Sequence, residues 1–234
     1  MQFSDSPDAW RKECPKVFDH ARSAGNVVVT GTEASDSGNA SILGAAADDA
    51  GFWKFIHADG EWVAVDKSVA SVNDHGYIPV IPGQSGSASS GGHSPRGIVW
   101  VTFTFKSGGP KVSVGVCHFL TQQSMDAQGA TNKPLQDAAL NFCADKGSGG
   151  NLAFINGDVN MNDETKNVWG TSKIVTCWDE LRKWPATHEG SPGTIDVISR
   201  YDPDGGTFTK GAVIGDDTVN LATDHRLIQA TRVP

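Results

Sequence analysis

Ser6-Pro7-Asp8-Ala9-Trp10-Arg11-Lys12-Glu13-Cys14-Pro15-Lys16-Val17-Phe18-Asp19-His20-Ala21-Arg22-Ser23-Ala24-Gly25-Asn26-Val27-Val28-Val29-Thr30-Gly31-Thr32-Glu33 decides the layer type of this chain. Ser6 is a helix-capping residue, Pro7 suits the first helical position, and Asp8 places an acid in the first turn, where the helix dipole favours it. Trp10, Cys14, Val17 and Ala21 then recur at helical spacing. Gly25 predicts the end of the helix. Asn26 to Thr30 is a short β-branched run that finishes in Gly31-Thr32-Glu33, an acid at a strand end. Helix, glycine and buried strand in that order predict an α/β layered fold.

The pattern continues outward from there. Phe52-Trp53-Lys54-Phe55-Ile56 and Trp62-Val63-Ala64-Val65 flank Asp59-Gly60, a hairpin signal. Residues 84–95 are rich in Gly and Ser and read as a surface loop; Arg96 beyond them reads as a candidate phosphate contact or, more plainly, a surface arginine. Residues 97–103 and 112–119 read as two strands around Ser107-Gly108-Gly109-Pro110, the second running into His118. A helix is expected over 133–145, with Leu135, Ala139, Phe142 and Cys143 on one side and Pro134 tolerated in its first turn. Leu152-Ala153-Phe154-Ile155 is a strand ending in Asn156-Gly157-Asp158-Val159-Asn160. A short helix over 179–183 and closing strands near 194–199 and 222–230 complete the order. No internal repeat or linker divides the chain, so residues 1–234 read as a single domain.

With 38% hydrophobic residues, the 234-residue chain can bury a sizeable core. No apolar run approaches the roughly 20 residues that span a bilayer, so no membrane partner is expected. Met1-Gln2-Phe3-Ser4-Asp5 lacks the basic and apolar segments of a signal peptide, which points to the cytoplasm and leaves a trimmed secreted form open. The net charge of −8 argues against a high-affinity DNA-binding module. It leaves room for a nuclease, because metal ions supply positive charge locally and their acidic ligands lower the total. Cys14, Cys117, Cys143 and Cys177 are too widely spaced for a zinc pattern and read as reduced thiols, with disulfides left open.

Groups able to bind metal or move protons stand at or just after strands: Glu33, His118, Asp158, Asn160, Asp196, Asp224 and His225. Each has a plainer reading. Gly157-Asp158-Val159-Asn160 suits a turn, Glu33 a solvated rim, His118 a packed and hydrogen-bonded ring, Asp196 an outward-facing strand position, and Asp224-His225 a surface strand end. Four acids at strand ends in one chain exceed what turns alone supply. In layered α/β folds, strand ends and the loops beyond them gather functional groups at one edge. Hard carboxylate oxygens suit Mg2+ or Mn2+ better than zinc.

This ordered set resembles the endonuclease/exonuclease/phosphatase superfamily of deoxyribonuclease I-like phosphodiesterases. The resemblance rests on the Trp10-Arg11 helix leading to Thr32-Glu33, then Val116-Cys117-His118-Phe119-Leu120, Gly157-Asp158-Val159-Asn160, Ile195-Asp196-Val197 and Thr223-Asp224-His225-Arg226. It implies a four-layered α/β sandwich, two mixed β-sheets packed face to face with helices outside. It also implies a Mg2+- or Mn2+-dependent phosphodiester hydrolase, most of all an endonuclease-type nuclease acting on DNA or RNA. A phosphatase or lipid phosphodiesterase of the same fold, and a catalytically impaired scaffold, are the alternatives. Glu33 would be the principal metal ligand, assisted by Asp224. Asp158 and Asn160 would position the attacking water and hold the phosphate, His225 oriented by Asp196 would serve as acid/base, and His118 would contact the scissile phosphate. One departure stands out: the family begins with a strand ending in an asparagine near the metal, and here that strand is short or missing.

Overall fold

The structure, a computed structural model, describes residues 7–34, 37–87, 90–160, 168–182, 184–187, 194–214 and 227–233. Helix α1 (Pro7–Ser23) buries Trp10, Cys14, Val17, Phe18 and Ala21 along one stripe. Pro15 lies inside the helix but on its exposed side. Gly25 stops it in the left-handed region, at φ 72°. Strand β1 (Val28–Gly31) follows as expected. Helix α2 (Ser37–Asp49) comes next, and then the expected hairpin of β2 (Phe52–Ile56) and β3 (Trp62–Asp66), turned at Asp59-Gly60. Strands β4 (Ala70–Ile81), β5 (Arg96–Phe105) and β6 (Val112–His118) form a meander. Helices α3 (Gln122–Gln128) and α4 (Lys133–Lys146) then lead to β7 (Leu152–Asp158). Strand β8 (Ile174–Thr176), helix α5 (Cys177–Leu181) and strands β9 (Asp196–Tyr201), β10 (Thr207–Ile214) and β11 (Leu227–Val233) close the order.

Two sheets lie face to face. One is antiparallel, in the order β1-β3-β2. The other has the order β4-β5-β6-β7-β9-β8 and is mixed, because β6 and β7 run parallel. Val63 and Val65 of the first sheet pack on Val99, Val101, Phe103, Val112, Val114 and Val116 of the second. On the far side of the first sheet, α1 and α2 cover Phe52, Trp62 and Ala64. On the far side of the second, Leu135, Ala139, Phe142 and Cys143 of α4 pack on Ile98, Cys117 and Ile155. The result is a four-layered α/β sandwich. Strand β6 is buried along its whole length and alternates: Val112, Val114 and Val116 enter the inter-sheet core, while Cys117 enters the core beneath α4. Strands β10 and β11 pair as a separate antiparallel ribbon.

Helices α2 and α3 and strands β4, β8 and β10 are elements beyond those the sequence predicts. Strand β4 is an edge strand whose Gly76 and Pro79 break the alternation pattern; an edge tolerates a missing donor. The loop over 84–95 is closed by a bridge between Gln84 and His93. Arg96, expected at the surface, is instead 9% exposed at the start of β5. All four cysteines are free and buried. No described helix is long and apolar enough to cross a membrane. Asp224 and His225 lie outside the described residues, as do all of residues 222–226 of the strand expected near 222–230.

Candidate active site

Parallel pairing brings two strand ends to the same level. His118 closes β6 and Asp158 closes β7, and the two are register partners. The approach is tight: a Cβ on Gly157 would meet the Cys117 carbonyl oxygen at 1.9 Å, and Gly157 sits at φ 151°. Only glycine fits there. His118 Nε2 lies 3.4 Å from Asp158 Oδ2 and 4.0 Å from Glu33 Oε1. The histidine and aspartate are buried, and the Glu33 side chain is a quarter exposed.

Glu33 reaches this point from the other sheet. It follows β1 in the left-handed region, at φ 69°. The next residue ties down the loop: Ala34 N–H donates to the Gly60 carbonyl at the hairpin tip, 2.9 Å away. A Cβ on Gly60 would crowd the Glu33 backbone at 3.0 Å, so a glycine lets hairpin and loop close together. Between the layers, Asn156 Nδ2 donates to Thr30 Oγ1 at 3.3 Å.

Beyond β7 the chain turns sharply. Asn160 N–H donates to Asp158 Oδ1 at 2.8 Å, and Asn160 Nδ2 donates to the Phe119 carbonyl at 2.9 Å. With its backbone at φ 48°, Asn160 builds the turn and holds one Asp158 oxygen in place. Asp196 opens β9 as the register partner of Asp158. Its N–H donates to Thr187 Oγ1 at 3.0 Å, and its carbonyl accepts from Trp178 Nε1 at 3.0 Å. A cavity of about 120 Å³ adjoins, lined among others by Thr30, Thr32, Asn156, Asp158 and Asp196. Glu33, His118, Asp158 and Asn160 thus come together, with Asp196 beside them. The expected pairing of Asp196 with His225, and the part expected of Asp224, fall outside the described residues.

Sequence reasoning passed over one neighbour. Glu61 is wholly buried, and neither of its carboxylate oxygens has a hydrogen-bond partner. Burial pushes its pKa up to about 7, outweighing the opposing pull of the nearby His118. The signal in the sequence is the alternation His57-x-Asp59-x-Glu61, hidden because Asp59-Gly60 already accounts for the turn.

Glu33 Oε2 is also buried without a hydrogen-bond partner. A buried carboxylate oxygen without a partner, on a side chain whose other oxygen lies 4.0 Å from the His118 imidazole, suits a hard divalent cation. Glu33 is thus one residue that could hold a divalent cation.

No family model matches the sequence, and no curated protein does either. Solved structures do match. D. rerio TDP2 complexed with single-strand DNA product superposes with a TM-score of 0.74 at 17% identity, over 99% of this chain and 94% of that one. The mannosyl-6-phosphatase of Bacteroides thetaiotaomicron VPI-5482 superposes with a TM-score of 0.73 at 14% identity, over 96% of this chain and 91% of that one. An endonuclease/exonuclease/phosphatase from Bacteroides vulgatus superposes with a TM-score of 0.70 at 15% identity, over 95% and 90% of the two chains. In its layered α/β sandwich the chain has the endonuclease/exonuclease/phosphatase fold.

Proposed function

We propose that the protein is a metal-dependent phosphodiester hydrolase that acts on nucleic acid. The observation that carries this reading is the meeting of Glu33, His118 and Asp158 at the strand ends, within 4.0 Å of the His118 ring nitrogen. A divalent ion held by Glu33, with Asp224 assisting, would polarise the phosphoryl oxygen and stabilise the leaving oxygen. His118 Nε2 can donate a hydrogen bond to the phosphate. Asp158, fixed at Oδ1 by the Asn160 N–H, keeps Oδ2 directed at His118 and able to orient the attacking water. Asn160 is a positioning residue in this scheme, because its amide is engaged by the Phe119 carbonyl. His225, oriented by Asp196, would serve as acid/base, and residues 1–234 would act as one domain.

The single-strand DNA product held by the similar TDP2 structure supports single-stranded DNA as the first substrate to test. The similar mannosyl-6-phosphatase supports a second reading, in which the same residues act on a phosphomonoester. Purified protein is expected to cleave a single-stranded oligonucleotide in Mg2+ or Mn2+ and to stop when EDTA is added. Asp158→Asn and His118→Ala should each lower the rate by about 100-fold or more, with unchanged circular dichroism. Hydrolysis of a sugar phosphomonoester or a phosphoinositide without DNA cleavage would replace the nuclease reading with that of a phosphatase or lipid phosphodiesterase. Hydrolysis of none of them would leave a binding scaffold.

A further inference from the structure

The tip of the β2–β3 hairpin carries its own constellation. His57, Asp59 and Glu61 each offer one ligand atom, and these atoms all lie within 4.8 Å of one another. Glu61 is wholly buried, and both its oxygens lack a hydrogen-bond partner. A buried carboxylate without partners is costly, and a native structure requires something to compensate it. Asp59 is 8% exposed, and its carboxylate accepts a hydrogen bond from the Tyr77 hydroxyl. The Tyr77 ring stacks on His57, with centroids 3.5 Å apart and planes 10° from parallel. That tyrosine thus orients two members of the set at once, as outer partners orient metal ligands. The His57 side chain is 34% exposed, which gives the cluster a route to solvent.

We propose that His57, Asp59 and Glu61 form a binding site for a divalent transition-metal ion, adjoining the Glu33 cluster but built from a separate set of ligand atoms. One imidazole nitrogen and two carboxylates suit Zn2+, Mn2+ or Co2+ better than Ca2+, which takes six to eight oxygens. The three residues sit at alternate positions of one short turn, so drawing their ligand atoms together needs only small movements of a hairpin tip. An ion there would rigidify that tip. The Gly60 carbonyl already holds Ala34, so the stiffened tip would fix the loop that presents Glu33. The proposal goes beyond the hydrolase reading and holds whatever the substrate.

The test uses the full chain, stripped with chelator and titrated with Co2+ or Zn2+ by calorimetry, with the visible absorption bands of Co2+ as a second readout. Wild type is expected to bind one equivalent that Glu61→Gln loses, and Glu33→Gln should retain it. His57→Ala changes a partly exposed side chain and stays informative if Glu61→Gln folds poorly; it should weaken that equivalent at least tenfold and alter the Co2+ spectrum. The same ion should raise the melting temperature of wild type and leave that of Glu61→Gln unmoved. Equal stoichiometry and affinity in wild type, His57→Ala and Glu61→Gln would overturn the proposal. So would loss of the equivalent in Glu33→Gln with retention in His57→Ala.

Discussion

His118 faces two carboxylates, 3.4 and 4.0 Å away, from a position that is 5% exposed. It was legible in the sequence because a histidine closing a largely apolar strand needs polar company, and the same logic marked Asp158 and Glu33. Glu61 was not legible. Its neighbours in sequence make a turn, and only the return of β1 beside β3 shows that its carboxylate is buried next to the site. Arg96 misled for the related reason that a flanking Gly/Ser-rich loop suggests solvent, whereas β5 begins inside the molecule. The thiols follow burial too. Burial pushes Cys14 and Cys177 up to about 12, and Cys117 and Cys143 also well above the ordinary thiol value. We expect no reaction with Ellman's reagent at pH 8 in the native protein and four thiols titrated after unfolding. The sign of the linkage is that of a raised pKa. The stability gained by keeping these thiols neutral is present below their unfolded value of 9.0 and is lost as pH rises above it.

Among the elements, the strongly patterned ones were readable and the weakly patterned ones were not. Helix α2 is built from small residues, with Gly38 and Gly44 among them, so no apolar stripe announces it. Strand β4 alternates poorly because its role is to edge the sheet, and β10 carries Lys210-Gly211 in mid-strand. Two elements depend on single residues. Gly157→Ala should cost about 3 kcal/mol or more, because the added methyl meets a strand carbonyl that cannot move; chemical denaturation would measure it. Helix α5 staples β9 to β10 through Glu180, which pairs with Arg200 and accepts the Phe208 N–H at 2.7 Å. Burial raises Glu180, but the Arg200 hydrogen bond and charge outweigh it and hold the carboxyl below its ordinary value of 4.5. That contribution is present above pH 4.5 and fades as the carboxyl protonates below it. Glu180→Ala should destabilise by about 2 kcal/mol, since it leaves the buried guanidinium with Asp202 as its remaining carboxylate partner, and Glu180→Gln by less.

Across the whole molecule, the net charge of −8 leaves little basic surface for phosphates. In chelator, single-stranded DNA is expected to bind weakly, with a log–log salt slope of magnitude below about 3; fluorescence anisotropy across a salt series would check it. The layered architecture was legible because apolar runs and helical stripes alternate along the chain. The strand order and register within the sheets were not, because register is a matter of long-range packing. The parallel union of β6 with β7 has a kinetic consequence. Asn160 and Phe119 meet across 41 residues, and Asn156 and Thr30 across 126. Closing loops of that length is slow compared with forming helices. During refolding, far-ultraviolet ellipticity should therefore recover first and hydrolytic activity last, and the lag between them would time the docking of the two sheets.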